Sequence, residues 1–125
     1  MQWLTFDDIV AAGRSGNLAA IDCSIEHWTQ LALANDLELR DGYMSMDAGV
    51  GSTKCALCFR VSSHCYECAL CSYFGDNCNY WEPYRTARDA WIRLCNGMCS
   101  GDTFRRAAAV MVAKLKELRE WALSK

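Results

Sequence analysis

Cys55-Ala56-Leu57-Cys58, then Cys65-Tyr66-Glu67-Cys68-Ala69-Leu70-Cys71, then Cys78, is the stretch on which the reading of this chain turns. Six of the nine cysteines fall between positions 55 and 78, and four of them form two C-x-x-C pairs. A C-x-x-C turn sets two thiolates on one side of a tight loop. Two such turns facing each other offer the four soft sulfur ligands that a tetrahedral zinc ion takes in a closed site. The spacing predicts one structural zinc per chain, held in a Cys-rich segment over about 54–84.

The simplest ligand set is Cys55, Cys58, Cys65 and Cys68. Its two pairs are separated by six residues, against roughly 15 to 20 in a zinc ribbon. A second set completes Cys55 and Cys58 with Cys68 or Cys71 and with Cys78, which the turn at Gly75-Asp76-Asn77 would bring back. His64, beside Cys65, could offer its imidazole but reads better as a surface residue. An iron–sulfur cluster is the competing metal group, because Cys65, Cys68 and Cys71 match part of a ferredoxin-type run. The fourth cysteine of that run is absent, with Gly at 75, so zinc is preferred. Cys23, Cys95 and Cys99 are read as core thiols, since buried cysteine behaves as a small hydrophobe.

The bulk numbers fit one folded domain over 1–125: 52% hydrophobic, 22% charged and a single proline. The first residues carry no basic region followed by an apolar run, so no signal peptide is expected. Nothing approaches the roughly 18 apolar residues of a membrane span. A cytoplasmic protein is expected, in which clustered cysteines mean metal rather than disulfides. Residues 1–53 hold eight acids against two bases, and residues 85–125 hold nine bases against four acids. Complementary packing of the two ends is the plainer explanation. The alternative is a nucleic-acid surface made of Arg85, Arg88, Arg93, Arg105 and Arg106.

Along the chain, Thr5-x-x-Asp8 predicts a helix start, with Gly13 as its stop. A second helix is expected from Asp22 or Ser24, with Ile21, Ile25, Trp28 and Leu31 on one face. Asp41-Gly42 predicts a β-hairpin that pairs Leu39 with Met44 and Leu37 with Met46. A helix is expected from Thr86 through Leu94. An amphipathic C-terminal helix over about 102–123 carries Phe104, Ala108, Met111, Leu115, Leu118 and Ala122 on its apolar stripe.

No catalytic signature is present: no H-E-x-x-H, no G-x-S-x-G and no deaminase motif. With two histidines in all, no enzyme is expected. The order Ser24-Ile25-Glu26-His27-Trp28, Cys55-Ala56-Leu57-Cys58, Cys65-Tyr66-Glu67-Cys68, Gly75, Cys78 and Pro83-Tyr84 resembles small cysteine-rich, zinc-knuckle-like proteins of tailed bacteriophages and prophages. The resemblance covers about residues 21–90, with Ala69 in place of that pattern's proline and Cys71 as an additional thiol. It implies Cys55, Cys58, Cys68 and Cys78 as ligands, with Cys65 close behind. It also implies a phage accessory protein acting inside a bacterial cell; binding of a host protein, a component of host defence being one candidate, is the leading expectation of function.

The expectation is thus an α+β domain, mostly α-helical. Three or four helices surround a Cys-rich zinc knuckle with one β-hairpin, and the protein works as a binding module. A nucleic-acid-binding zinc protein is the alternative, and an iron–sulfur or thiol redox protein the second alternative. No membrane contact and no small-molecule substrate are expected.

Overall fold

Helix capping decides much of this chain's architecture. The computed structural model describes residues 1–62 and 64–125, with Cys65 described through its backbone alone. Among the described residues run seven α-helices: α1 (Phe6–Ser15), α2 (Asn17–Leu33), α3 (Asp36–Ser45), α4 (Ala56–Arg60), α5 (Ala69–Phe74), α6 (Glu82–Cys95) and α7 (Gly101–Leu123). Short 3₁₀ turns at Ser52–Lys54 and Cys65–Glu67 lead into α4 and α5.

Thr5 starts α1 with a reciprocal cap: its hydroxyl accepts from the Asp8 amide at 3.1 Å, and the Asp8 carboxylate accepts from the Thr5 amide at 3.0 Å. Gly13 does not end this helix. A Cβ there would stand 2.7 Å from the Ala56 carbonyl oxygen and 2.9 Å from the Phe59 Cβ, so the glycine lets α4 close onto α1. The break falls at Gly16, whose φ of 146° suits glycine alone. The second helix therefore begins at Asn17, and Asp22 and Ser24 lie inside it.

The α+β expectation is overturned, since no strand is present among the described residues. The segment read as a hairpin is α3. Asn35 caps it: its side chain accepts from the Glu38 amide at 2.8 Å, and Glu38 accepts from the Asn35 amide at 3.0 Å. That box satisfies two otherwise open donors, and Asp41-Gly42 falls within the helix it nucleates. Gly42 is needed for proximity, because a Cβ would lie 2.7 Å from that of Ala48 and 3.0 Å from the Trp3 ring. The four apolar residues meant to share a strand face are divided: Leu39 is buried, while Leu37, Met44 and Met46 are exposed. Among the described residues, seven helices replace the three or four expected.

The longest helices form the centre, α2 packing chiefly against α7, with α6 on α7 and with α1 and α4 against α2. Phe104, Leu115 and Leu118 of α7 and Ile21 and Leu31 of α2 are fully buried. Burial of each such side chain is worth roughly 1.5–3 kcal/mol. The acidic and basic ends of the sequence meet across this core. Arg119 Nε donates to Asp22 at 2.6 Å, and Arg105 bridges Asp36 at 2.8 Å and Asp102 at 2.7 Å.

Candidate functional site

The cysteines of the middle segment do come near one another. Cys55 precedes α4 as its N-cap residue and Cys58 follows on the first turn; Cys68 and Cys71 hold the same two places in α5. All four, with Cys78, border one small cavity of about 30 Å³ walled by Leu57 and Leu70. The Cys65 side chain lies outside the described residues. His64 is exposed, with its ring 3.6 Å from the Glu67 carboxylate.

Thiol pairing along one turn dominates the local electrostatics. The Cys58 thiol hydrogen-bonds Cys55 and holds the Cys55 pKa below its ordinary value against the effect of burial, helped by the amides of Cys58 and Leu57 and by the Ser24 side chain. The same contact, then burial, then the nearby Cys55, Cys78 and Cys68, push Cys58 the other way. Cys23 is buried in α2, and desolvation raises its pKa to about 11.

Bordering a common cavity is a looser relation than four sulfurs about 2.3 Å from one ion. Among the described residues, no group of three or more His, Cys, Asp or Glu side chains is placed to hold a metal ion. The expected turns were to face each other as knuckles. Instead Cys55 and Cys58 are wound into the start of α4, while the second expected pair is split, its Cys65 opening a 3₁₀ turn and its Cys68 standing at the N-cap of α5. The zinc knuckle and the iron–sulfur cluster are both withdrawn, and with them the function built on a zinc-binding accessory protein. No disulfide joins the described cysteines.

The arginines of the nucleic-acid reading differ in their surroundings. Arg105 is committed to Asp36, Asp102 and the Ala34 carbonyl. Arg88 lies 3.7 Å from Asp89 and over the Tyr84 ring, while Arg85, Arg93 and Arg106 are exposed.

Two further features stand out. The first is a cleft of about 390 Å³ beside the thiols, framed by α2, the 50–55 loop and α6, with α7 beneath. Trp28 and Tyr84 meet edge to face in its wall, 6.3 Å between ring centroids. His27 Nε2 donates to the Gly49 carbonyl at 2.7 Å, and the Tyr84 hydroxyl donates to Val50 at 2.5 Å. Burial lowers the His27 pKa to about 4, with Lys54 adding to the shift, so the ring is neutral near pH 7. The second is a groove of about 120 Å³ between α3 and α6, lined by Leu39, Arg40, Tyr43, Trp91, Leu94 and Cys95, with Asp36 at one end. Tyr43 and Trp91 pack edge to face across it, 6.2 Å apart.

The chain matches no protein-family model, no curated protein and no solved structure. Function is therefore argued from the geometry. No described helix is long and apolar enough to cross a membrane.

Sequence reasoning passed over both hollows. The i, i+3, i+4, i+7 spacing of Asp36, Leu39, Arg40 and Tyr43 is a helical face, hidden once the segment was given to a hairpin. Ser24 and His27 stand three apart on α2, on the side that carries Trp28, yet their sequence signals were those of a cap and a coincidence.

Proposed function

We propose that this domain is a non-catalytic binding module, and that its partner is a protein presenting a basic amphipathic helix to the α3–α6 groove. The observation that carries this reading is the apolar surface around the groove. Tyr43 is 46% exposed, and Leu37 and Met44 lie seven residues apart on the adjoining flank of α3 at 55% and 74%; Ile92 on α6 is 50% exposed. Such a grouping of large apolar side chains marks an interaction site more often than plain surface. A helix with apolar residues at i, i+3, i+4 and i+7 fits a groove between two helices. Charge bears on its flanks: residues 36–47 carry Asp36, Glu38, Asp41 and Asp47 against Arg40, with Asp36 also paired to Arg105 and Glu38 to the N-terminal ammonium. A cytoplasmic setting accompanies this proposal and is supported by nine cysteines without a disulfide among the described ones.

The test is fluorescence anisotropy with a labelled helical peptide bearing a leucine stripe and lysine flanks, beside the same stripe with glutamate flanks. The lysine peptide should bind about tenfold tighter, a difference of about 1.4 kcal/mol. Tyr43→Ala with Met44→Asp should abolish binding while leaving the circular dichroism spectrum unchanged. Equal binding of the two peptides, or binding that survives the double substitution, would refute the proposal. A concentration-dependent dimer dissolved by Met44→Asp would make a second copy the occupant and refute it as well.

A further inference from the structure

The cleft beside the thiols is independent of the α3–α6 groove, and its chemistry can be read from what its polar groups already do. His27 Nε2 is spent on Gly49 and the Tyr84 hydroxyl on Val50. The exception is Ser24. It is 4% exposed, it lies in the cleft lining, and among the described residues its Oγ meets no nitrogen or oxygen partner, its neighbour being the Cys55 sulfur. It sits near the Cys55 sulfur, where it helps lower that thiol's pKa, but a thiol is a weak acceptor. A buried hydroxyl without a good partner costs on the order of 1–3 kcal/mol, a cost that a bound acceptor would remove.

We propose that this cleft binds a small, uncharged, largely apolar molecule carrying one carbonyl oxygen, which accepts a hydrogen bond from Ser24. Size agrees, because about 390 Å³ lies within the roughly 300–1,000 Å³ of small-molecule sites. The lining selects an apolar body: Leu57, Leu70, Met111 and Leu115 form one side, and the Trp28 and Tyr84 rings form another. Charge is disfavoured at the Ser24 end. No carboxylate lines the cleft, its imidazole is neutral, Lys54 in the 50–55 loop is its one ammonium group, and the thiols of Cys55, Cys58 and Cys78 complete the wall. A flat ring with a short carbonyl arm satisfies all of these demands.

Acetophenone and ethylbenzene share that shape and differ by the carbonyl oxygen. Each would be titrated into the full chain by NMR, following the Trp28 indole N–H and the Met111 methyl. Both ligands should give saturable shifts at these two probes. Ser24→Ala should lower the preference for acetophenone over ethylbenzene about fivefold, the worth of one net hydrogen bond, with ethylbenzene binding retained. Ser24→Cys, close in shape and a poor donor, should behave alike and serves if the alanine variant folds badly. No saturable shift with either ligand would overturn the proposal, as would an unchanged preference in both variants, which would leave Ser24 to a buried water. Tighter binding of benzoate than of acetophenone would overturn the uncharged class.

Discussion

Acidification should destabilise this protein through His27 before its carboxylates matter. The ring is buried at 3% exposure and donates to Gly49, and its pKa is lowered from 6.5 to about 4 by burial first, with Lys54 acting in the same direction. The unfolded chain takes up a proton at its His27 near pH 6.5, while the folded chain refuses it until about pH 4. Stability is therefore complete above pH 6.5 and is lost as pH falls toward 4. A gap of about 2.5 units at 1.36 kcal/mol each gives about 3 kcal/mol, a large share of a domain's total of about 5–15 kcal/mol. Hydrogen bonds lower the pKa values of the exposed Asp8, Glu38 and Asp102, so the stability they contribute is lost as pH falls below their ordinary values of 3.8 and 4.5, at the lower edge of this window and under it. Urea unfolding at a series of pH values between 7 and 4.5 measures the loss. In His27→Gln, which keeps a donor toward Gly49, the slope over this interval should vanish. Equal slopes in the two proteins, or an NMR titration of His27 near 6.5, would refute the reasoning.

Other consequences are independent of that ring. Gly13→Ala should cost about 1–3 kcal/mol by overpacking, since its Cβ would meet the Ala56 carbonyl and Phe59; thermal unfolding reads this directly. Phe104→Ala should cost about 3–5 kcal/mol, because Phe104 is fully buried and packs 5.0 Å from the Trp91 ring centroid. Arg105→Gln should cost about 1 kcal/mol, less at high salt, as it frees Asp36 and Asp102 at a partly exposed site. Cys58→Ala should raise the pKa of Cys55, whose thiol loses its hydrogen-bond donor; the pH dependence of alkylation at Cys55, followed by peptide mass spectrometry, tests this.

Local chemistry was readable where a few neighbouring residues settle the outcome. Thr5 and Asp8 cap α1 with groups three residues apart, and Phe104, Met111, Leu115 and Leu118 line one side of α7 at a period only a helix matches. The segment 35–46 held two local signals, a capping box at Asn35–Glu38 and the Asp41-Gly42 pair. Reading the pair as a turn ignored what Gly42 touches, which is Trp3 and Ala48. Gly13 is a similar case: read as a helix stop, it is a contact point for α4. A glycine's reason for being there can lie across space as well as along the chain.

The cysteines show where the boundary falls. By itself the sequence determined that thiols would crowd between positions 55 and 78, that the chain would be mainly helical, and that its last long helix would have one apolar side, because these follow from composition and short-range periodicity. Only the tertiary structure decided that Cys55 and Cys58 start α4, with no metal-holding group among the described residues. It alone placed Ser24 and His27 beside those thiols and opened the groove between α3 and α6. Spacing limits which residues can meet, but direction and distance between side chains are set when α2, α4, α6 and α7 pack, and packing is a property of the whole core.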